Sequence, residues 1–180
     1  MTIAYTPWPE TFTQAYRKKG YWTDRPLTDL IDNAPQDNIA IVCGERALTY
    51  RDVCSQSKKL AIYWQTLGLK SGDTALVQLP NIAEFYVVFF ALIRLGVAPV
   101  NALFSHNENE LSAYAKQIQP RILIASSRHA LFHDAHFFKA LCQLSDALQH
   151  ALIVGKSEWA ESLDSVLERS TDMPLHAKPS

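Results

Sequence analysis

Ala75-Leu-Val-Gln-Leu-Pro-Asn-Ile-Ala-Glu-Phe-Tyr-Val-Val-Phe-Phe-Ala-Leu-Ile-Arg-Leu-Gly-Val-Ala-Pro-Val100 decides the fold of this 180-residue chain. Ala75 to Leu79 is a short, mostly apolar run stopped by Pro80, which reads as a strand. Asn81 then precedes an apolar run with Glu84 three residues on, the spacing that caps a helix. The run from Phe85 to Leu95 is about half the ~20 residues a membrane helix needs, and Glu84 and Arg94 flank it closely. It reads as a core helix closed by Gly96. Val97 to Val100 follows as a second short strand. A strand, a helix and a strand in succession form the unit of a parallel sheet.

The same alternation continues downstream. Asn107 to Gln119 reads as a helix closed by Pro120, and Ile122 to Ala125 as a strand. Ser127 to Leu144 is expected to be mostly helical, Ala151 to Val154 to be a strand, and Ser157 to Arg169 a helix. Upstream, Ile39 to Cys43 and Arg46 to Tyr50 flank Gly44-Glu45 and predict a β-hairpin. Thr49 with Asp52 fits a capping box launching a helix from Tyr50. Val53, Leu60, Ile62, Tyr63, Trp64 and Leu67 give that helix its apolar side, and Gly68 ends it. The expected class is α/β: a small β-hairpin region plus parallel strands flanked by helices on both faces.

Residues 39–169 are therefore expected to form an α/β subdomain. Residues 1–38 are irregular and rich in Pro and aromatics, including Trp8, Phe12, Tyr16, Tyr21 and Trp22. They read as a segment wrapping a larger body with its rings as anchors, with short helices at Glu10 to Lys19 and Leu27 to Asn33. Residues 170–180, polar and proline-bearing, read as a linker-like tail.

Composition narrows the function. The chain is 48% hydrophobic and carries 17 basic against 18 acidic residues, a net charge of −1. Those charges are interspersed, so no basic stripe serves nucleic acid and no cationic block serves an anionic membrane. Cys43, Cys54 and Cys142 lack C-x-x-C spacing and suggest reduced thiols and a cytoplasmic location. The opening residues lack the layout of a signal peptide.

The search for chemistry yields weak candidates. Gly155-Lys156-Ser157 imitates the end of a phosphate-binding loop. However, His150 stands where that motif needs its first glycine, so a tight turn with Ser157 as helix cap is the better reading. His129, His133 and His136 would share one face of a continuous helix, a spacing compatible with zinc, although no further ligand joins them. Ser105-His106 follows a strand end, and Glu108 and Glu110 suit a helix N-terminus. No nucleophile elbow is present.

Two stretches carry a family resemblance. Leu48-Thr-Tyr-Arg-Asp-Val53 resembles the first core motif of adenylate-forming enzymes, and Leu79 to Phe85 with Phe89 to Val100 resembles the segment containing their second. More narrowly, Trp8-Pro-Glu10, Tyr16-Arg17, Lys19-Gly-Tyr-Trp22, Ala102-Leu-Phe-Ser-His106 and Glu110-Leu-Ser-Ala-Tyr114 look like the aryl-acid ligases of siderophore assembly, 2,3-dihydroxybenzoate–AMP ligases in particular. The resemblance implies ATP-dependent formation of an aryl-adenylate, with ATP and Mg2+ serving the full-length enzyme. Transfer to the thiol of an aryl carrier protein would follow.

It also implies that the triphosphate loop, the aryl pocket and a mobile lid lie beyond Ser180. No catalytic, cofactor-binding or metal position is therefore carried over to this chain, and Leu48, Thr49, Tyr50 and the Leu92–Pro99 run read as scaffold. The chain alone is expected to be inactive and to expose apolar surface made for the missing C-terminal part, with self-association a consequence. A non-catalytic interaction module derived from such a ligase is the alternative. An independent enzyme centred on Ser105-His106 or the histidines is a weaker third.

Overall fold

The computed structural model describes residues 6–169. In chain order these are helices α1 (Glu10–Lys18) and α2 (Asp29–Asp32), strands β1 (Ile39–Cys43) and β2 (Arg46–Thr49), and helix α3 (Tyr50–Thr66). Then come β3 (Thr74–Gln78), α4 (Ala83–Leu95), β4 (Ala98–Asn101), α5 (Glu108–Ile118), β5 (Ile122–Ser126), α6 (His136–Leu144), β6 (His150–Val154), β7 (Glu161–Ser162) and α7 (Leu163–Arg169).

β1 and β2 form the expected antiparallel hairpin. The other five strands form one parallel sheet in the order β4-β3-β5-β6-β7. Every residue of β3 and β5 is buried, because alternate side chains point to opposite helical layers. Ala75, Val77, Ile122 and Ile124 pack with Leu60 and Trp64 of α3, Leu92 of α4 and Val166 of α7. Leu76, Leu123 and Ala125 pack on the other face with Leu111 of α5 and Phe137 and Leu141 of α6. A third, smaller core of Ile31, Val53 and Cys54 lies beside the hairpin.

Local chemistry sets several boundaries. Thr49 and Asp52 form a reciprocal capping box at the start of α3: the Thr49 hydroxyl accepts from Asp52 N–H at 3.1 Å, and the Asp52 carboxylate accepts from Thr49 N–H at 2.8 Å. Gly96 ends α4 at φ +68°, where a Cβ would meet Ser71 Oγ at 2.6 Å, so the position needs glycine for both backbone and space.

Three expectations from the sequence are corrected. α4 is capped by Ile82 without a side-chain bond, not by Asn81, because Glu84 is drawn away to Arg46 of β2 at 2.7 Å. The stretch 127–144 is not one helix: a 3-10 turn spans Ala130–Phe132 and α6 begins only at His136. Ser157 to Arg169 is likewise not continuous helix. Ser157 Oγ accepts from Trp159 and Ala160 N–H, Trp159 Nε1 donates to the Phe132 carbonyl at 3.0 Å, and the chain stays extended to pair β7 with β6 before α7 starts.

The N-terminal rings pack chiefly on one another. Tyr16 meets Trp22 at 5.4 Å and Trp8 at 6.4 Å between centroids, while α1 buries no residue. Residues 170–180, read from sequence as a linker, lie outside the described residues.

Candidate functional site

In an open parallel sheet, ligands bind beyond the carboxyl ends of the strands where the winding direction reverses. Here β3 is followed by β4 on one side and later by β5 on the other, so the reversal lies at the ends of β3 and β5. Gln78, the last residue of β3, is fully buried there. Its Nε2 donates to the carbonyls of Leu103 at 3.1 Å and His106 at 2.7 Å, with that of Phe104 at 3.4 Å. This carboxamide holds the loop between β4 and α5 against the sheet. Its Oε1 is buried without a hydrogen-bond partner.

The loop so held carries Ser105 and His106. His106 Nδ1 lies 3.4 Å from Tyr114 Oη, and Phe104 meets the His129 ring edge-on at 5.4 Å. Asn107 and Glu110 form a capping box on α5, with Glu110 Oε2 accepting from Asn107 N–H at 2.9 Å. That backbone bond holds the Glu110 carboxyl below its ordinary pKa. No base stands behind Ser105 in these contacts; its carbonyl accepts from Asn107 Nδ2.

The three histidines do not share a helix face. His129 precedes the 3-10 turn and its Nδ1 accepts from Leu131 N–H, His133 follows that turn, and His136 opens α6. Asp134 Oδ1 accepts from His136 N–H at 2.7 Å. Each side chain–backbone bond offers the chain an alternative to continuing a helix. Among the described residues, no group of three or more His, Cys, Asp or Glu converges as a metal site. None of them is assigned to hold the Mg2+ implied for the full-length enzyme.

Gly155-Lys156-Ser157 forms a turn, with Gly155 at φ +102° in close approach to Ser127. It edges a shallow, open polar cleft with Asp164 and Glu168. All three cysteines are free, with Cys54 buried, and burial raises the pKa of Cys54 and Cys142. Such thiols are poor nucleophiles.

Sequence reading missed one cluster. Arg94, only 8% exposed, grips Asp32 with both terminal nitrogens, at 2.8 and 2.6 Å. Its Nε donates to Ser57 Oγ at 3.1 Å, and Cys54 Sγ reaches the Ile31 carbonyl at 3.2 Å. The bonds from Arg94 hold the Asp32 carboxyl below its ordinary pKa against the opposing effect of burial. The cluster ties α2 to α3 and α4, which is a structural task. Its sequence signal was an arginine inside an apolar run.

The chain is similar to known proteins along nearly all its length. Residues 29–179 match the family model of AMP-binding enzymes. The pseudomonine synthase PmsE of Pseudomonas entomophila is 46% identical over 99% of the chain, which covers 30% of that protein. The 2,3-dihydroxybenzoate-AMP ligase of Bacillus subtilis is 33% identical, again over 99% of the chain and 32% of its own length. Among solved structures, apo MbtA of Mycobacterium smegmatis superposes with a TM-score of 0.85 at 30% identity, covering 97% of this chain and 33% of that one. The chain thus spans about a third of the length of the relatives it matches.

Proposed function

The chain belongs to the AMP-binding enzyme family, and from that premise we propose that it is the N-terminal portion of an aryl-acid–AMP ligase of siderophore biosynthesis, acting in the cytoplasm. In the full-length enzyme, a 2,3-dihydroxybenzoate-type acid is activated with ATP, with Mg2+ neutralising phosphate charge, and the aryl group passes to a carrier-protein thiol. Residues 39–169 serve as the α/β subdomain, 1–38 as a wrapping segment and 170–180 as a linker.

The observation that carries this reading is likeness to a 2,3-dihydroxybenzoate-AMP ligase over 99% of the chain. The site geometry supports a scaffold role. At the carboxyl edge, Gln78 Nε2 donates to loop carbonyls, and Ser126 Oγ accepts from Arg128 N–H within its own turn. Stabilising the charge that develops in adenylation is usually the largest catalytic contribution and needs donors aimed at a phosphate. The chain alone is therefore inactive in this reading.

ATP–pyrophosphate exchange with 2,3-dihydroxybenzoate tests both halves of the proposal. A graft of this chain in place of the matching third of the B. subtilis ligase is expected to exchange, and the isolated chain is not. A folded graft without exchange overturns the ligase reading; exchange by the isolated chain overturns its inactivity.

A further inference from the structure

Nearly all the large exposed apolar side chains among the described residues lie in the N-terminal segment, the hairpin or the start of α4. Leu30 of α2, Val42 of β1 and Tyr86 of α4 are 65%, 71% and 47% exposed, and all three line one groove of about 610 Å3. The buried Ile31 and Val53 also line it, and no lining residue carries a charge. The neighbouring charges of β2 and α4, Arg46 and Glu84, are already paired with each other. A pocket of this size lined by aromatic and aliphatic groups selects an apolar occupant.

We propose that this groove seats the remainder of an aryl-acid ligase polypeptide, an inference that rests on the ligase reading above. Two facts choose that occupant. The relatives carry about twice as much further polypeptide beyond the third matched here. Both faces of the five-stranded sheet are already covered by the chain's own helices, so additional polypeptide is not needed there, whereas this uncharged groove, with the N-terminal rings, remains exposed. The hairpin beside it is a two-stranded ribbon, a unit that needs packing from elsewhere for stability.

Thiol footprinting of the 180-residue chain and of the B. subtilis graft tests the assignment. Val42→Cys and Tyr86→Cys are labelled with a maleimide and read peptide by peptide by mass spectrometry, with Lys116→Cys, at an exposed position of α5, as the control. Labelling at positions 42 and 86 is expected to slow at least tenfold in the graft relative to the chain alone, while position 116 changes less than twofold. Equal labelling at position 42 in chain and graft overturns the proposal. So does protection in the isolated chain that grows with its concentration, because a second copy is then the occupant. An exchange-active graft with an unprotected groove sinks this inference alone. An inactive graft with a protected groove sinks only the ligase reading.

Discussion

The parallel sheet and the hairpin end use similar residues to opposite effect. β3 and β5 bury all five of their residues, whereas β1 and β2 bury none completely. The difference is the number of layers. A strand between two helical layers hides both sets of alternating side chains, while a hairpin with one neighbouring layer hides one. Burial therefore holds the sheet together. At the hairpin end, point contacts take over: the Thr49–Asp52 box, the Arg46–Glu84 pair and the Asp32–Arg94 clamp.

If that contrast is right, the largest loss comes from the sheet. Leu123→Ala empties a fully buried site on β5 and should destabilise the chain by about 3 kcal/mol. Urea unfolding checks this, and the whole α/β region should melt together. A loss below about 1 kcal/mol would mean that the sheet does not dominate.

The next effect belongs to the clamp. Asp32→Ala strands the Arg94 guanidinium among buried groups, a change that costs roughly 3–5 kcal/mol for a fully buried pair. Asp32 is 28% exposed, so about 2 kcal/mol is expected. Combining Asp32→Leu with Arg94→Met should recover much of it, since neither charge is then left alone. The pH dependence has a definite sign. The folded-state pKa of Asp32 is depressed, so its contribution is present above the ordinary carboxylate value near 4 and lost as pH falls through the lowered value. Asp52 is depressed as well, by its bonds from Thr49. Hydrogen-exchange protection factors of α2 and the start of α3, taken relative to the intrinsic rate at each pH, should fall in acid, and Asp32→Ala should flatten the α2 response.

The same division explains what was legible in the sequence. The sheet could be read because five-residue apolar runs and helical spacing are local signals, and Thr49 with Asp52 is a local motif too. The failures all involve distant partners or competing local bonds. Glu84 answers Arg46 across 38 residues instead of capping with Asn81. Trp159 reaches the Phe132 carbonyl across 27 residues and holds the chain extended. Asp32 and Arg94 are 62 residues apart, so no window of sequence contains both. The candidate site was less legible still. Ser105, His106 and the three histidines were flagged by residue type, yet the first two depend on how Gln78 holds their loop, and the histidines on the local bonds of His129 and Asp134 that interrupt a helix.

Thr49→Ala probes the contrast at a smaller scale. It removes one half of a satisfied capping box and should lower stability by about 1 kcal/mol. Because α3 contributes Leu60 and Trp64 to the sheet core, the loss should be global in urea and not confined to the hairpin. Exchange that accelerates only in residues 46–53 would show instead that the first turn of α3 frays without loosening the sheet.

The smallest expected effect is the sharpest test of the comparison. Val42 is 71% exposed, so Val42→Asp removes little buried area and should shift the isolated chain's stability by no more than about 0.5 kcal/mol. It nevertheless puts a charge into a groove whose lining has none. If an apolar polypeptide covers that groove in the full-length ligase, the same substitution in the B. subtilis graft must desolvate the new carboxylate, and its melting temperature should fall by several degrees. Equal small shifts in both backgrounds would mean that Val42 stays in water throughout. The hairpin end would then be exposed by design, and its difference from the sheet would not reflect a missing layer.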